Sequence, residues 1–250
     1  GEGAARRRER ETMCTTSAGA GVAREDLVIA WEFHTASGPS LYGEMLQIRD
    51  DGFQRFTDRT DGVGTCTVTS VEEDVNGEIW RRVRGTYTVP LYMTHQYEGS
   101  IANRNASGEI AFLETTEAPF ELVIPPSVRD RVMNGDGPGR GLMYGHGLLG
   151  SAGQVSSGGT RVALQRSEMV GFGTDYWGLA EGDEAQFITH VVTQFDNFRQ
   201  LGERLMQGTL NSLILQKTFA TGGPCSEIAE LQLAVGEESR PLLNSDEMYY

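Results

Sequence analysis

The period of the apolar positions changes along the chain, and the changes divide it into three sections. Residues 4–13 have helix-forming composition and the small residues of "TTSAGAG" end them, which predicts a helical lead-in or linker over residues 1–25. The second section, residues 26–126, is rich in predicted strands. "DLVIAWEFHTAS", residues 26–37, is a continuous apolar run followed by alternation, the pattern of a strand buried on at least one face. Residues 38–42 read as a turn, and "GEMLQIRDDGFQRF" as a short helix, its type not fixed by the pattern, that reaches a turn at Asp51-Gly52. "TCTVTSVEEDVNGEIWRRVRGTYTVPLYM" then supplies a β-branched strand, an Asn76-Gly77 turn and strands over 78–84 and 85–93, a small antiparallel unit. "PFELVIPPS" is a further strand, ended at Pro125-Pro126 by the loss of backbone donors.

The third section, residues 127–250, has α/β order. "GRGLMYGHGLLG" is a short apolar strand running into glycines, residues 154–166 are a polar helical candidate, and "EMVGFGTDYWGL" repeats the strand-to-glycine turn. A long helical stretch follows, with apolar residues at Phe187, Val191, Val192, Phe195, Phe198, Leu201 and Leu205 and a break expected near Gly208. "GGPCSE" is expected to open another helix at Ser226, and Met248, Tyr249 and Tyr250 to open a buried strand.

Composition narrows the function classes. The chain has 250 residues and a net charge of -14, from 21 Lys and Arg against 35 Asp and Glu, so nucleic acid would meet an unfavourable field. The only dense basic run, "ARRRERE", is interrupted by acids and reads as a solvated helix face. No window reaches the length of a membrane span. Cys14, Cys66 and Cys225 lack short paired spacing, so one disulfide with a free thiol and three free thiols are both open, and neither they nor the dispersed His34, His95, His146 and His190 suggest a zinc site. Asn105-Ala106-Ser107 is formally a glycosylation sequon and physically a polar turn.

Candidate chemistry centres on "YGHGLLGSAGQV", residues 144–155. A glycine-rich turn at the end of a parallel strand lets exposed backbone N–H groups meet an anion. The phosphate-binding patterns GxGxxG and GxxxxGK[ST] are absent, whereas an oxyanion hole needs only such donors. "YGHGLLGSAGQV" resembles the HG-containing oxyanion loop of α/β-hydrolase esterases and lipases, and "MVGFGTDYWGLAEGD" resembles the strand and Asp-aromatic-x-Gly loop that follow it. With "DLVIAWEFHTAS", "GTYTVPLYM", "FELVIPP" and "QFDNFRQLGERLMQGTLNSLILQK", the chain is similar from Asp26 to Lys217 to a group of large bacterial hydrolases, often exported.

The resemblance implies an α/β fold with a partial, mostly parallel hydrolase-type sheet behind the strand-rich section. It implies that the backbone N–H of Leu148, with Leu149 its neighbouring candidate, receives an oxyanion. His146 and Gly147 would set loop geometry, His146 not acting as the base, and Asp175, Tyr176 and Trp177 would order the loop or line the pocket. A nucleophilic serine in a GxSxG elbow is absent from these 250 residues; by the resemblance it would closely follow "EMYY", with the triad acid and base beyond. The expected function is thus a portion of a serine-dependent carboxylic-ester hydrolase, inactive without downstream sequence and acting on an ester or lipid-like small molecule or polymer. A complementary polypeptide or a second copy is the expected protein partner. No cofactor or metal is required, and the expected location is secreted or at the cell envelope, in soluble form. The alternatives are a noncatalytic binding or assembly module on the same scaffold and a carbohydrate-binding β module using Trp80, Tyr87, Tyr92 and Tyr97.

Overall fold

A computed structural model describes residues 2–31, 33 and 35–250, with side chains left undescribed at 2–7, 9, 10 and 187. His34, one of the dispersed histidines, lies outside the described residues, as does the Phe187 side chain. The chain forms two units, Gly1–Gly43 and Glu44–Tyr250. In the first, helix α1 (Glu2–Gly19) is followed by a 3-10 turn at Arg24–Asp26, and Arg24 meets Glu11 at 3.2 Å. Both partners are solvent-exposed, where such a pair contributes little. The strand expected over 26–37 is not formed among its described residues. Val28 (99% exposed), Ile29 (74%), Trp31 (69%) and Phe33 (74%) stand in water, and no ladder partner is recorded for them. The apolar pattern signals a need for burial, but a strand also needs an edge to pair with.

The second unit is built on a six-stranded sheet in the order β1-β2-β3-β5-β4-β8. Its strands are β1 (Cys66–Asn76), β2 (Ile79–Leu91), β3 (Glu114–Ile124), β4 (Gly139–Met143), β5 (Met169–Thr174) and β8 (Leu243–Tyr249); β6 (Gln232–Val235) and β7 (Glu238–Pro241) form a separate hairpin. The architecture is mixed α/β, and the six-stranded sheet is mostly antiparallel. β1–β2, β2–β3 and β3–β5 are antiparallel, and only β5–β4 and β4–β8 are parallel. The expected mostly parallel sheet is confined to these last three strands because β1, β2 and β3 belong to the same sheet. Pairing of β3 with β5 also places the anticipated 126/127 boundary inside one sheet.

Local chemistry accounts for the elements. The Asn76 side chain accepts the N–H groups of Glu78 and Ile79 at 2.9 and 3.0 Å, turning β1 into β2. The two strands expected over 78–93 are one, continuous through Gly85, where a Cβ would lie 2.2 Å from the Thr67 carbonyl oxygen. Pro126 opens helix α3 (Pro126–Asn134), a position that tolerates a missing donor.

Helix α2 (Gly38–Asp58) runs straight through the anticipated Asp51-Gly52 turn. Gly52 is there for packing: a Cβ would come within 2.9 Å of Leu210. Helix α4 (Gly158–Ser167) follows a 3-10 turn at Ala152–Ser156. Short α5 (Glu184–Gln186) passes into a π-helical turn, Phe187–Val192, and α6 (Phe198–Phe219) is unbroken at Gly202 and Gly208. The helix expected at Ser226 is replaced by turns leading into β6.

One face of the sheet is covered by α6, with Phe219 edge-to-face on Phe120 and Phe172 at 5.4 and 5.6 Å. On the other face Val155 and Leu164 pack with Ile79 and Val123. Cys66 and Cys225 form a disulfide with Cα atoms 6.3 Å apart, joining the start of β1 to the chain beyond α6, while Cys14 is a free thiol. Among the described residues no helix is long and apolar enough to cross a membrane.

Candidate functional site

β4 lies between β5 and β8, parallel to both. Helix α4 carries the chain from β4 to β5 on one side, and β8 takes the other side of β4. Such reversals of strand order open a crevice at the carboxyl ends of parallel strands, where α/β sheets bind ligands. The loop from Tyr144 to Ser157 leaves β4 at that crevice. The Tyr144 N–H is held by the Phe172 carbonyl at 2.7 Å, and Gly145 then allows a close approach from the end of β8, since a Cβ there would lie 2.7 Å from the Tyr250 hydroxyl.

Four hydrogen bonds zip this loop to the one after β5. The Tyr176 N–H donates to His146 Nε2 at 2.7 Å, the Leu149 N–H to the Leu179 carbonyl at 2.8 Å, the Glu181 N–H to the Gly150 carbonyl at 2.7 Å, and the Ala152 N–H to Asp175 Oδ1 at 2.8 Å. Within the first loop, the Gly147 N–H donates to Gln154 Oε1 at 2.9 Å and the Gly150 N–H to the Gly147 carbonyl at 3.0 Å. Leu149 adopts a left-handed backbone, φ 55°, as its N–H turns toward Leu179. The Leu148 N–H has no acceptor among the described residues, and Leu148 is 66% exposed. Of the three successive donors at Gly147, Leu148 and Leu149, the middle one is therefore free and exposed and its two neighbours are engaged.

The hydrogen bonds fix the state of His146. Nε2 accepts from Tyr176, so it is unprotonated, and Nδ1 carries the hydrogen that it gives to the Gly147 carbonyl at 2.8 Å. The lone pair that a general base would use is already committed. Asp175 is half-buried, and that burial pushes its carboxyl above the usual carboxylate range, opposed by the hydrogen bond from the Ala152 N–H. Tyr176 stacks edge-to-face with His146 at 6.5 Å, and its hydroxyl meets Thr209 at 2.6 Å. Trp177 is buried with Arg204 over its ring at 4.7 Å.

Two groups at the site carry no sequence motif. Gln154 was visible only as a polar helical residue, yet its amide holds Gly147. Asp183 is buried, accepts the Gly178 and Ala180 N–H groups at 2.7 and 3.2 Å, and pairs with Arg204 at 2.5 Å. Arg204 in turn donates to the carbonyls of Gln96 and Tyr97 and to Ser100, tying three segments together behind the loop. Glycines at Gly178 and Gly182 hint at a loop here, but a partner so distant in sequence leaves no local trace.

The other candidate residues are not drawn into the site's contacts. His95 lies beside Tyr97, and His190 is exposed in the π-helical turn. Trp80, Tyr87 and Tyr92 are buried in the core, so of the four aromatics only Tyr97 is available as a carbohydrate platform. An open cavity of about 450 Å³ is at the opposite, amino-terminal end of the parallel strands along Pro138, Leu243 and Asn244. Comparison of the chain with known protein families, with curated proteins and with solved structures finds no match.

Proposed function

We propose that the loop after β4 is the oxyanion-binding part of a serine-dependent carboxylic-ester hydrolase. The observation that carries this is the unengaged N–H of the exposed Leu148, held at the carboxyl end of a parallel strand between the engaged donors of Gly147 and Leu149. A backbone donor fixed in advance stabilises the negative charge that forms on an ester's carbonyl oxygen without reorganising during the reaction. In this role Leu148 is the donor. Leu149 and Gly147 shape the turn, His146 and Asp175 hold the two loops together, and Tyr176 and Trp177 form the wall behind them.

The serine nucleophile is not among these residues, because no GxSxG elbow occurs in the sequence. The carboxyl end of β8 comes close to this loop, since a Cβ on Gly145 would lie 2.7 Å from the Tyr250 hydroxyl, and the proposal puts such a serine on that side of the loop. The substrate is an ester or lipid-like molecule or polymer. The Cys66–Cys225 disulfide favours an oxidising compartment, hence secretion or the cell envelope.

The test is hydrolysis of short and medium acyl esters by the 250-residue chain, alone and joined to the polypeptide encoded after it. Activity only in the joined form, lost when the elbow serine is replaced by alanine, is the expected result. A folded joined form with an intact elbow and no ester hydrolysis would overturn the proposal. The competing function is noncatalytic binding or assembly, favoured by the exposed apolar side chains of Val28, Ile29, Trp31 and Phe33. It predicts a stable complex with a second copy or another protein and no ester turnover.

A further inference from the structure

The geometry points to Gln154 as the positioning residue that selects which backbone donor of the loop faces the substrate. This rests on the oxyanion function proposed above. Three consecutive N–H groups occur at Gly147, Leu148 and Leu149. The last is consumed by the Leu179 carbonyl, and the first by Gln154 Oε1 at 2.9 Å. The Gly147 tie is the only one of the two that depends on a side chain, and therefore the one that a substitution can release without touching the backbone of the partner loop.

Gln154 is itself held where it must be. Its N–H donates to the Ser151 carbonyl at 3.0 Å, and its carbonyl accepts from the N–H and hydroxyl of Ser157 at 3.2 and 2.9 Å, fixing the backbone from which the amide reaches back. The path of that amide crosses Gly150, where a Cβ would lie 2.3 Å from Gln154 Nε2. Gly150 and Gln154 thus form one device: the missing side chain at 150 makes room for the amide that orients 147. The carbonyl oxygen of the amide is the working atom, because an N–H needs an acceptor and nothing else.

With Gln154 in place Leu148 is the free donor of the three at 147–149, aimed by the fixed peptides on either side. Without it the Gly147 N–H is free, the peptide between Gly147 and Leu148 can rotate, and the donor no longer meets the developing charge at a fixed angle. A misplacement of about 1 Å at a reacting centre can cost about 100-fold in rate.

Three variants separate this role from general structural support. In Gln154→Ala the acceptor is lost; in Gln154→Glu a carboxylate oxygen replaces it; in Gly150→Ala the native amide is displaced. Two readouts are taken for each. Hydrogen exchange at the Gly147 amide is followed by NMR in the 250-residue chain, and kcat and KM for p-nitrophenyl butyrate are measured in the joined, ester-hydrolysing form.

Gln154→Ala and Gly150→Ala are expected to lose Gly147 protection and to lower kcat at least about 10-fold with KM within about twofold, since the lost interaction acts on the transition state. Gln154→Glu is expected to keep both protection and most of kcat. Loss of protection in Gln154→Ala with unchanged kcat would overturn the positioning role and leave the oxyanion function standing. So would unchanged protection in that variant. Absence of hydrolysis in the unmodified joined form would instead overturn the oxyanion function, while the exchange data would still report on the Gly147 tie.

Discussion

Asp175 keeps an ionisable carboxyl half-buried behind the loop, accepting the Ala152 N–H and facing His146. Because burial raises its pKa in the folded chain, its contribution to stability is fully present below the unfolded pKa and is lost as pH rises through the folded one. Asp175→Asn keeps an acceptor for Ala152 and removes the charge. The variant should therefore gain stability relative to the native chain as pH rises from the acid side of the carboxylate range to neutrality. Asp175→Ala loses the acceptor and should cost about 1 kcal/mol. Urea midpoints at several pH values measure both, and parallel pH profiles for native and Asn chains would count against the assignment. At this scale the sequence was informative where chemistry is local. The HG turn, Asp175 and the aromatic pair after it are short-range features. The resemblance named Leu148 as donor, but no local pattern shows that its N–H stays free, because the acceptor that engages Leu149 is the carbonyl of Leu179, and the one that engages Gly147 is a glutamine with no motif.

Elements were legible where pairing partners are sequential, as in the β1–β2 hairpin and the strand-loop-helix run from β4 to β5. α6 is the instructive exception. Of the apolar positions that marked the helical stretch, Val192 and Phe195 precede α6 and Phe198 opens it, and all three are exposed, while the buried face of α6 carries Glu203, Arg204, Gln207 and Asn211 alongside Leu210, Ile214 and Phe219. Most of these polar groups find a partner, the Asn211 Oδ1 accepting from Gln207 while its Nδ2 has none among the described residues. Gln207 receives the Tyr92 N–H at 2.9 Å and donates to the Pro90 carbonyl at 2.9 Å, finishing the end of β2. Burial pushes the Glu203 carboxyl up, but Arg104, the Ala102 N–H and Arg199 together outweigh it, and the net shift is downward. Periodicity counts apolar residues and cannot see such partners.

The helix's glycines likewise differ only by what lies opposite. A Cβ on Gly208 would meet the backbone of Trp177 at 2.6 Å, whereas Gly202 faces open space. Gly208→Ala should cost about 1–3 kcal/mol through forced separation of helix and loop. Gly202→Ala should stabilise by about 0.5–1 kcal/mol through higher helix propensity. Thermal midpoints of the two variants compared with the native chain decide it, and equal effects would show that the helix does not bear on the Trp177 loop.

Across the molecule, the Cys66–Cys225 bridge spans a sequence separation of 159 residues. In the chain-entropy account a loop of that length is worth about 5 kcal/mol, a large part of a domain's net stability. Cys66→Ser, or reduction of the native chain, should lower the denaturation midpoint markedly, and Cys14→Ser should leave it unchanged. Spacing alone left the pairing of these cysteines open, since only the antiparallel strands and the return of the chain after α6 bring them together. The same holds for strand order: the parallel character of β5, β4 and β8 could be read from their turns, but their junction with three antiparallel strands depends on β3 pairing with β5, far along the chain.

The bridge also makes the chain a covalent ring with two tails. The exposed tip at Asn105–Gly108 and the break between the π-helical turn and α6 both lie inside the ring. A protease that cuts once at either place opens the ring without releasing a fragment, so the nicked molecule keeps its full mass until a reductant is added. Any natural processing of this protein within that span would be invisible on a non-reducing gel.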